Sequence, residues 1–229
     1  MSDLPAKSIG TLQENALHAS LKTWYARPGD QVEAQVDGYW VDIVRGEQLL
    51  EIQTGNFSAL RRKLEHFLPL RPLRVVYPLP CEKWIVRVGR SGETLARRKS
   101  PRRGQMLDIF DELAYLTAFL HQPHFSFEVL SIQQEDIWFD DGKGSWRRKG
   151  VSVIDRRLAA VLRSDVFLAP ADYRPLLPAI AKEPFTVRDL AKVVGAPYRR
   201  CASMAYCLRE LGLIERTGKR GHSFLYRLT

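Results

Sequence analysis

A mixed α/β fold in two parts, residues 1–168 and 169–229, is predicted by three observations. The first is a run of three short alternating strands at residues 32–53, VEAQVDGYWVDIVRGEQLLEIQ, joined by two tight turns. The second is a pair of amphipathic helical segments flanking that run. The third is a change near Ala169-Pro170-Ala171, after which three helical patterns are followed by a two-stranded hairpin.

Asp37-Gly38 is a two-residue hairpin turn, because both central positions of a type I′ turn need positive φ. Gly46 does the same work in Arg45-Gly46-Glu47-Gln48. The registers these turns impose set Glu33 opposite Asp42 and Asp42 opposite Glu51. Ala34, Val36, Val41, Ile43, Leu50 and Ile52 then form one core face. The other face carries the three acids, with Gln35, Trp40 and Gln53 in the next row. Carboxylates directly opposite, with Cβ atoms about 4.5–5.5 Å apart, repel unless a cation or proton is shared. Oxygen ligands so clustered suit a hard divalent ion.

Before this meander, Thr11-Leu-Gln-Glu14 reads as a capping box opening a helix to about Trp24, with Leu17, Leu21, Trp24 and Tyr25 toward the sheet. After it, Phe57, Leu60, Leu64 and Phe67 mark a helix over about 57–68, whose Arg61, Arg62, Lys63 and His66 read as a solvated face. A strand is expected at 73–77, between Pro72 and Pro78. Then come a hairpin of residues 84–88 and 94–98, a helix over 105–120, a strand at 125–132, and a strand with a short helix over 151–163. Two basic stretches stand out: Arg97, Arg98, Lys99, Arg102 and Arg103, and then Arg147 and Arg148.

Asp42 followed by Glu51-Ile52-Gln53, in a helix, three-strand, helix, strand setting, resembles the PD-(D/E)XK nuclease superfamily and its restriction-endonuclease-like αβββαβ core. The resemblance implies a metal-dependent DNA endonuclease that hydrolyses phosphodiester bonds with Mg²⁺ or Mn²⁺. Asp42 and Glu51 would hold the metal, Ile52 would lend its carbonyl, and Glu33 or Glu14 would complete the shell. Gln53 stands where the family usually has Lys and could orient water but not act as a cation. The basic stretches would meet phosphate.

Residues 169–229 resemble a winged helix-turn-helix. Residues 175–181 would be its first helix, and Thr186 with Asp189 caps the second, which Gly195 ends. Pro197 opens the third, whose Ala205, Leu208 and Leu211 pack inward, and residues 213–217 and 223–228 form the wing. The resemblance implies DNA contacts from Tyr198, Arg199 and Arg200 at the recognition helix and from Lys219, Arg220 and His222 at the wing tip. From Pro175 onward there are ten Lys/Arg against four Asp/Glu, so +6 of a formal +9 lies there.

Cys81, Cys201 and Cys207 form no metal-ligand spacing and fit a reducing cytoplasm. No apolar leader or membrane-length run is present. A homodimer is compatible with the sequence. Two alternatives to the nuclease are a DNA-binding regulator with an inactive nuclease-like domain and a non-catalytic subunit of a DNA-processing complex.

Overall fold

The computed structural model describes residues 16–143, 150–180 and 183–229. It is a mixed α/β protein built on one large sheet. Helix α1 (Ala16–Tyr25) leads into the meander β1 (Gln31–Val36), β2 (Tyr39–Arg45) and β3 (Gln48–Ile52). A 3₁₀ turn (Phe57–Leu60) and α2 (Arg61–Phe67) follow, then β4 (Leu73–Val88), β5 (Thr94–Lys99), α3 (Ile109–Leu113), β6 (Phe125–Asp140) and β7 (Val151–Phe167). The sheet order is β1-β2-β3-β4-β6-β7, with β5 paired to β4. β3, β4 and β6 are parallel; every other pairing is antiparallel.

Both expected turns form as their residues require, with φ of 48° at Asp37, 84° at Gly38 and 55° at Gly46. The sheet, however, is covered on both faces rather than one. Ile43, Leu50 and Ile52 pack under Leu17, Leu21 and Tyr25 of α1, while Leu49 packs with Phe57, Leu64 and Phe67 on the α2 side. Trp24, expected to face the sheet, is 51% exposed.

The strand expected to stop at Pro78 instead runs through Pro78 and Pro80 to Val88. The carbonyls of Pro72 and Val76 accept from β3, through Leu49 N and Gln53 N. Pro78 and Pro80 share that parity, so the N–H groups they lack would have pointed to the same side, where β3 has ended and β5 has not begun. Nothing is lost there. Gly104 N donates to Pro80 O and Ser100 N to Lys83 O, so the loop leaving β5 covers the gap. Gly104 suits this approach, since a Cβ would come within 2.7 Å of Leu79 Cδ1 and that side chain would have to shift.

β6 and β7 are likewise far longer than expected, and residues 151–163 hold no helix. The helix expected over 105–120 is broken into α3 between two 3₁₀ turns (Met106–Asp108 and Thr117–Phe119), although its Phe110, Leu113 and Leu116 are fully buried. Beneath α1, Glu128 is 4% exposed and is satisfied from two neighbouring strands and the helix. It accepts from the Tyr25 hydroxyl, from Ser164 Oγ at 2.6 Å and from Arg74 Nη1 at 3.2 Å. Burial and the Glu128 carboxylate push the Tyr25 phenol well above its ordinary range.

Past β7 a 3₁₀ helix (Pro170–Leu176) replaces the helix expected at 175–181, of which residue 181 lies outside the described residues. Then come α4 (Val187–Val194), α5 (Tyr198–Glu210) and the hairpin β8 (Ile214–Arg220) and β9 (Ser223–Leu228). The α4 capping box is formed: Thr186 N donates to Asp189 Oδ2 at 2.9 Å, and Asp189 N returns to Thr186 Oγ1 at 3.2 Å. Gly195 ends the helix at φ 67°. These elements share one apolar core with the large sheet. Tyr173, Phe185, Met204 and Leu208 join the cluster that holds Phe110, Leu116 and Phe127.

Candidate functional site

The two strand ends where β2 and β3 part carry Asp42 and Glu51. Their paired register runs through Ile43↔Leu50, which places the two acids next in line. Asp42 Oδ2 accepts from the backbone N–H of Ile52 at 2.8 Å and lies 3.2 Å from His18 Nε2 of α1. Glu51 is 8% exposed. Its Oε1 accepts from Lys63 Nζ of α2 at 2.5 Å, and that ammonium also donates to Trp40 O at 2.5 Å. The buried Oε2 has no hydrogen-bond partner among the described residues. Burial, then the Asp42 charge, push the Glu51 carboxyl up to about 7, with Lys63 acting in the opposite direction.

The structure therefore brings Asp42 and Glu51 together but leaves Glu33 out of the row. Glu33 has φ 54°, which breaks the side-chain alternation of β1, and its carboxylate is bound by the buried Lys22 of α1. Glu14 lies outside the described residues. Gln53 is engaged by the following loop: its amide donates to Gly55 O and, at 3.2 Å, to Asn56 O, bracing the chain after β3. Ile52 meets Asp42 through its N–H.

His18 and Lys63 are the site residues that sequence reading passed over. Lys63 sits among Arg61, Arg62 and His66 on a polar helix face, which reads as solvated until the opposite strand is known. No group of three or more His, Cys, Asp or Glu able to hold a metal is found among the described residues. Two carboxylates, one with an unpartnered buried oxygen, nonetheless fit Mg²⁺, which keeps several waters and needs one or two protein carboxylates.

The predicted DNA contacts divide sharply. Arg97 lies 3.9 Å over the Trp84 ring and donates to Glu135 at 2.9 Å, and Lys99 pairs with Glu82 at 3.5 Å. Arg98, Arg102 and Arg103 have no side-chain partner among the described residues and are exposed. Arg147 and Arg148 lie outside the described residues. Arg200 is committed to α3 and its leading turn, with Nη1 2.6 Å from Asp108 Oδ1 and Nε 3.0 Å from Asp111 Oδ2. It lines a cleft of about 770 Å³ with Arg199, Asp111, Glu112 and the Asn56–Ser58 loop. Arg220 bonds Pro184 O at 3.3 Å, Lys219 lies 5.0 Å from the Phe224 ring centroid, and Tyr198 and His222 stand exposed.

The class defined by fold and site is thus a mixed α/β protein with a two-carboxylate, one-lysine centre where the β2 and β3 strands part. A family model described as "Domain of unknown function (DUF8091)" matches residues 15–167, and the chain belongs to that family. It is also 31% identical over 221 residues to an "Uncharacterized protein" of Treponema pallidum (strain Nichols), covering 96% of this chain and 87% of the relative. No solved structure matches. No helix among the described residues is long and apolar enough to cross a membrane.

Proposed function

We propose that the chain is a metal-dependent nuclease acting on DNA, with Asp42 and Glu51 as the pair that would hold Mg²⁺ or Mn²⁺. The observation that carries this reading is the buried Oε2 of Glu51, unpartnered among the described residues, beside a second carboxylate. A carboxylate left this way costs free energy unless a proton or cation meets it. Bound there, the ion would lower the pKa of a water and offset charge developing on the scissile phosphate.

The chain's own residues set the stage. The Ile52 N–H and His18 fix Asp42, so its remaining oxygen is oriented. Lys63 holds Glu51 and puts a cation beside it, a role that Gln53 cannot fill. Gln53 acts by holding the loop that borders the large cleft. The helix-turn-helix of α4 and α5 with the β8–β9 hairpin supports a winged-helix reading of the second part, and its cationic excess supports DNA as the partner.

The test is to incubate purified protein with plasmid and with branched, flapped and single-stranded DNA, with and without Mg²⁺ or Mn²⁺. Cleavage that disappears in Asp42→Ala and Glu51→Ala is expected; cleavage at the wild-type rate in both variants overturns the site. Gln53 facing the loop favours a second reading, a DNA-binding protein without activity. Selective binding with no cleavage of any of these substrates would establish it.

A further inference from the structure

We infer that the groove between α5 and the β8–β9 hairpin is a stacking platform for an unpaired DNA strand. The inference rests on the DNA-binding half of the reading above and specifies the form of DNA. Helix α5 presents three faces. Cys201, Met204, Ala205 and Leu208 are buried in the core, and Arg200 is drawn to Asp108 and Asp111. The third face carries Tyr198, Ala202 and Tyr206, spaced four residues apart and so aligned in one stripe.

That stripe is aromatic where a helix reading a duplex major groove would present polar side chains to base edges. Tyr198 is 57% exposed and Tyr206 41%. Across the groove stands Phe224, 39% exposed, with the Arg216 guanidinium 4.0 Å from its ring centroid. Arg188 of α4 completes a concavity of about 310 Å³ whose lining contains no Asp or Glu. The larger cleft beside Arg200, by contrast, is lined by Asp111 and Glu112, which repel phosphate.

Aromatic rings set among cations are the composition of single-strand sites, because every base has a π-face and the backbone needs only charge. The platform is also held in place. The Tyr206 hydroxyl is 3.0 Å from Thr117 Oγ1 in the first part of the chain, and Arg209 lies 5.4 Å from its ring centroid. Its ring needs no reordering to receive a base.

The experiment uses the full chain in chelator, so that nothing is cut, with a fluorescein-labelled oligothymidine and a hairpin duplex measured over a range of salt. Tighter binding of the single strand is expected. Tyr198→Ala/Tyr206→Ala should weaken it about 10- to 100-fold, while Tyr198→Phe/Tyr206→Phe keeps it within a fewfold. Arg188→Ala/Arg216→Ala should flatten the salt slope by about 1.4, near 0.7 per lost phosphate contact. If the double alanine variant does not fold, Tyr198→Ala alone carries the test, since that side chain is largely exposed. Duplex bound as tightly as single strand, with alanine variants like wild type, overturns the platform. Parallel cleavage assays with Mg²⁺ separate the two ideas. Cleavage with tyrosine-independent binding overturns only the platform, and tyrosine-dependent single-strand binding without cleavage supports it while removing the nuclease. Failure to bind either DNA overturns both and returns the groove to a protein partner.

Discussion

At the scale of single residues, Glu51 is the most consequential group. Its carboxyl titrates near 7 in the folded protein against 4.5 for the ordinary group, so between those values the folded state binds more protons than the unfolded. Stability is then fully present below about pH 4.5 and falls as pH rises toward 7, by roughly 3 kcal/mol at most. Denaturant melts of metal-free protein should show this decline, and Glu51→Gln should flatten it. Lys63→Ala, by removing the neighbouring cation that most favours ionisation, should carry the decline to higher pH. A wild-type profile in either variant would mean that Glu51 is not the group responsible. The acids themselves were legible in the sequence because the Asp37-Gly38 and Gly46 turns fix register. Glu33 was misplaced because nothing in its type announces φ 54°. Lys63 was missed because a lysine on a polar helix face looks the same whether or not a buried carboxylate waits opposite.

At the scale of elements, α1 is secured by the Glu128 network. Glu128→Ala would leave Arg74 and the Tyr25 hydroxyl without their buried partner, and a loss of about 3–5 kcal/mol is expected in chemical denaturation. Tyr25→Phe should cost less, about 1–3 kcal/mol, because Ser164 and Arg74 still satisfy the carboxylate. Equal losses in the two variants would place the energy in the ring's packing instead. Helices α4 and α5 were readable end to end, since Thr186, Asp189, Gly195 and Pro197 mark their limits chemically. The lengths of β4, β6 and β7 were not. A proline reads as a strand boundary in sequence, yet what matters is the side on which its missing N–H would have fallen, and that depends on neighbours far along the chain.

At the scale of the whole molecule, the two parts are not separable bodies. Cys207 and Met204 of α5 are buried in the same cluster as Phe110 of α3, Cys207 Sγ lies 3.8 Å from Phe110 O, and His121 meets Glu210 O at 2.6 Å. One cooperative unfolding transition is therefore expected in calorimetry. A chain ending at residue 168 should bind a hydrophobic dye, because Phe110, Leu113 and Leu116 lose their cover. Two well-separated transitions would contradict the shared core. Arg200→Ala should lower stability by about 1 kcal/mol, since its partly exposed pairing with Asp108 and Asp111 ties α5 to α3. Had Arg200 been a free DNA contact, as its place in the sequence suggests, the change would alter affinity alone.

The prolines of β4 carry one more consequence, for behaviour in a crowded solution. A strand with a vacant side ordinarily invites a strand from a neighbouring molecule to zip onto it. Along residues 77–83 that side offers acceptors but, at Pro78 and Pro80, no donors, and the 100–104 loop already occupies the Pro80 and Lys83 carbonyls. The vacancy inside the sheet is thereby insulated against its own kind. Pro78→Ala/Pro80→Ala should restore that adhesiveness, visible as faster light scattering on mild heating with little change in the melting midpoint.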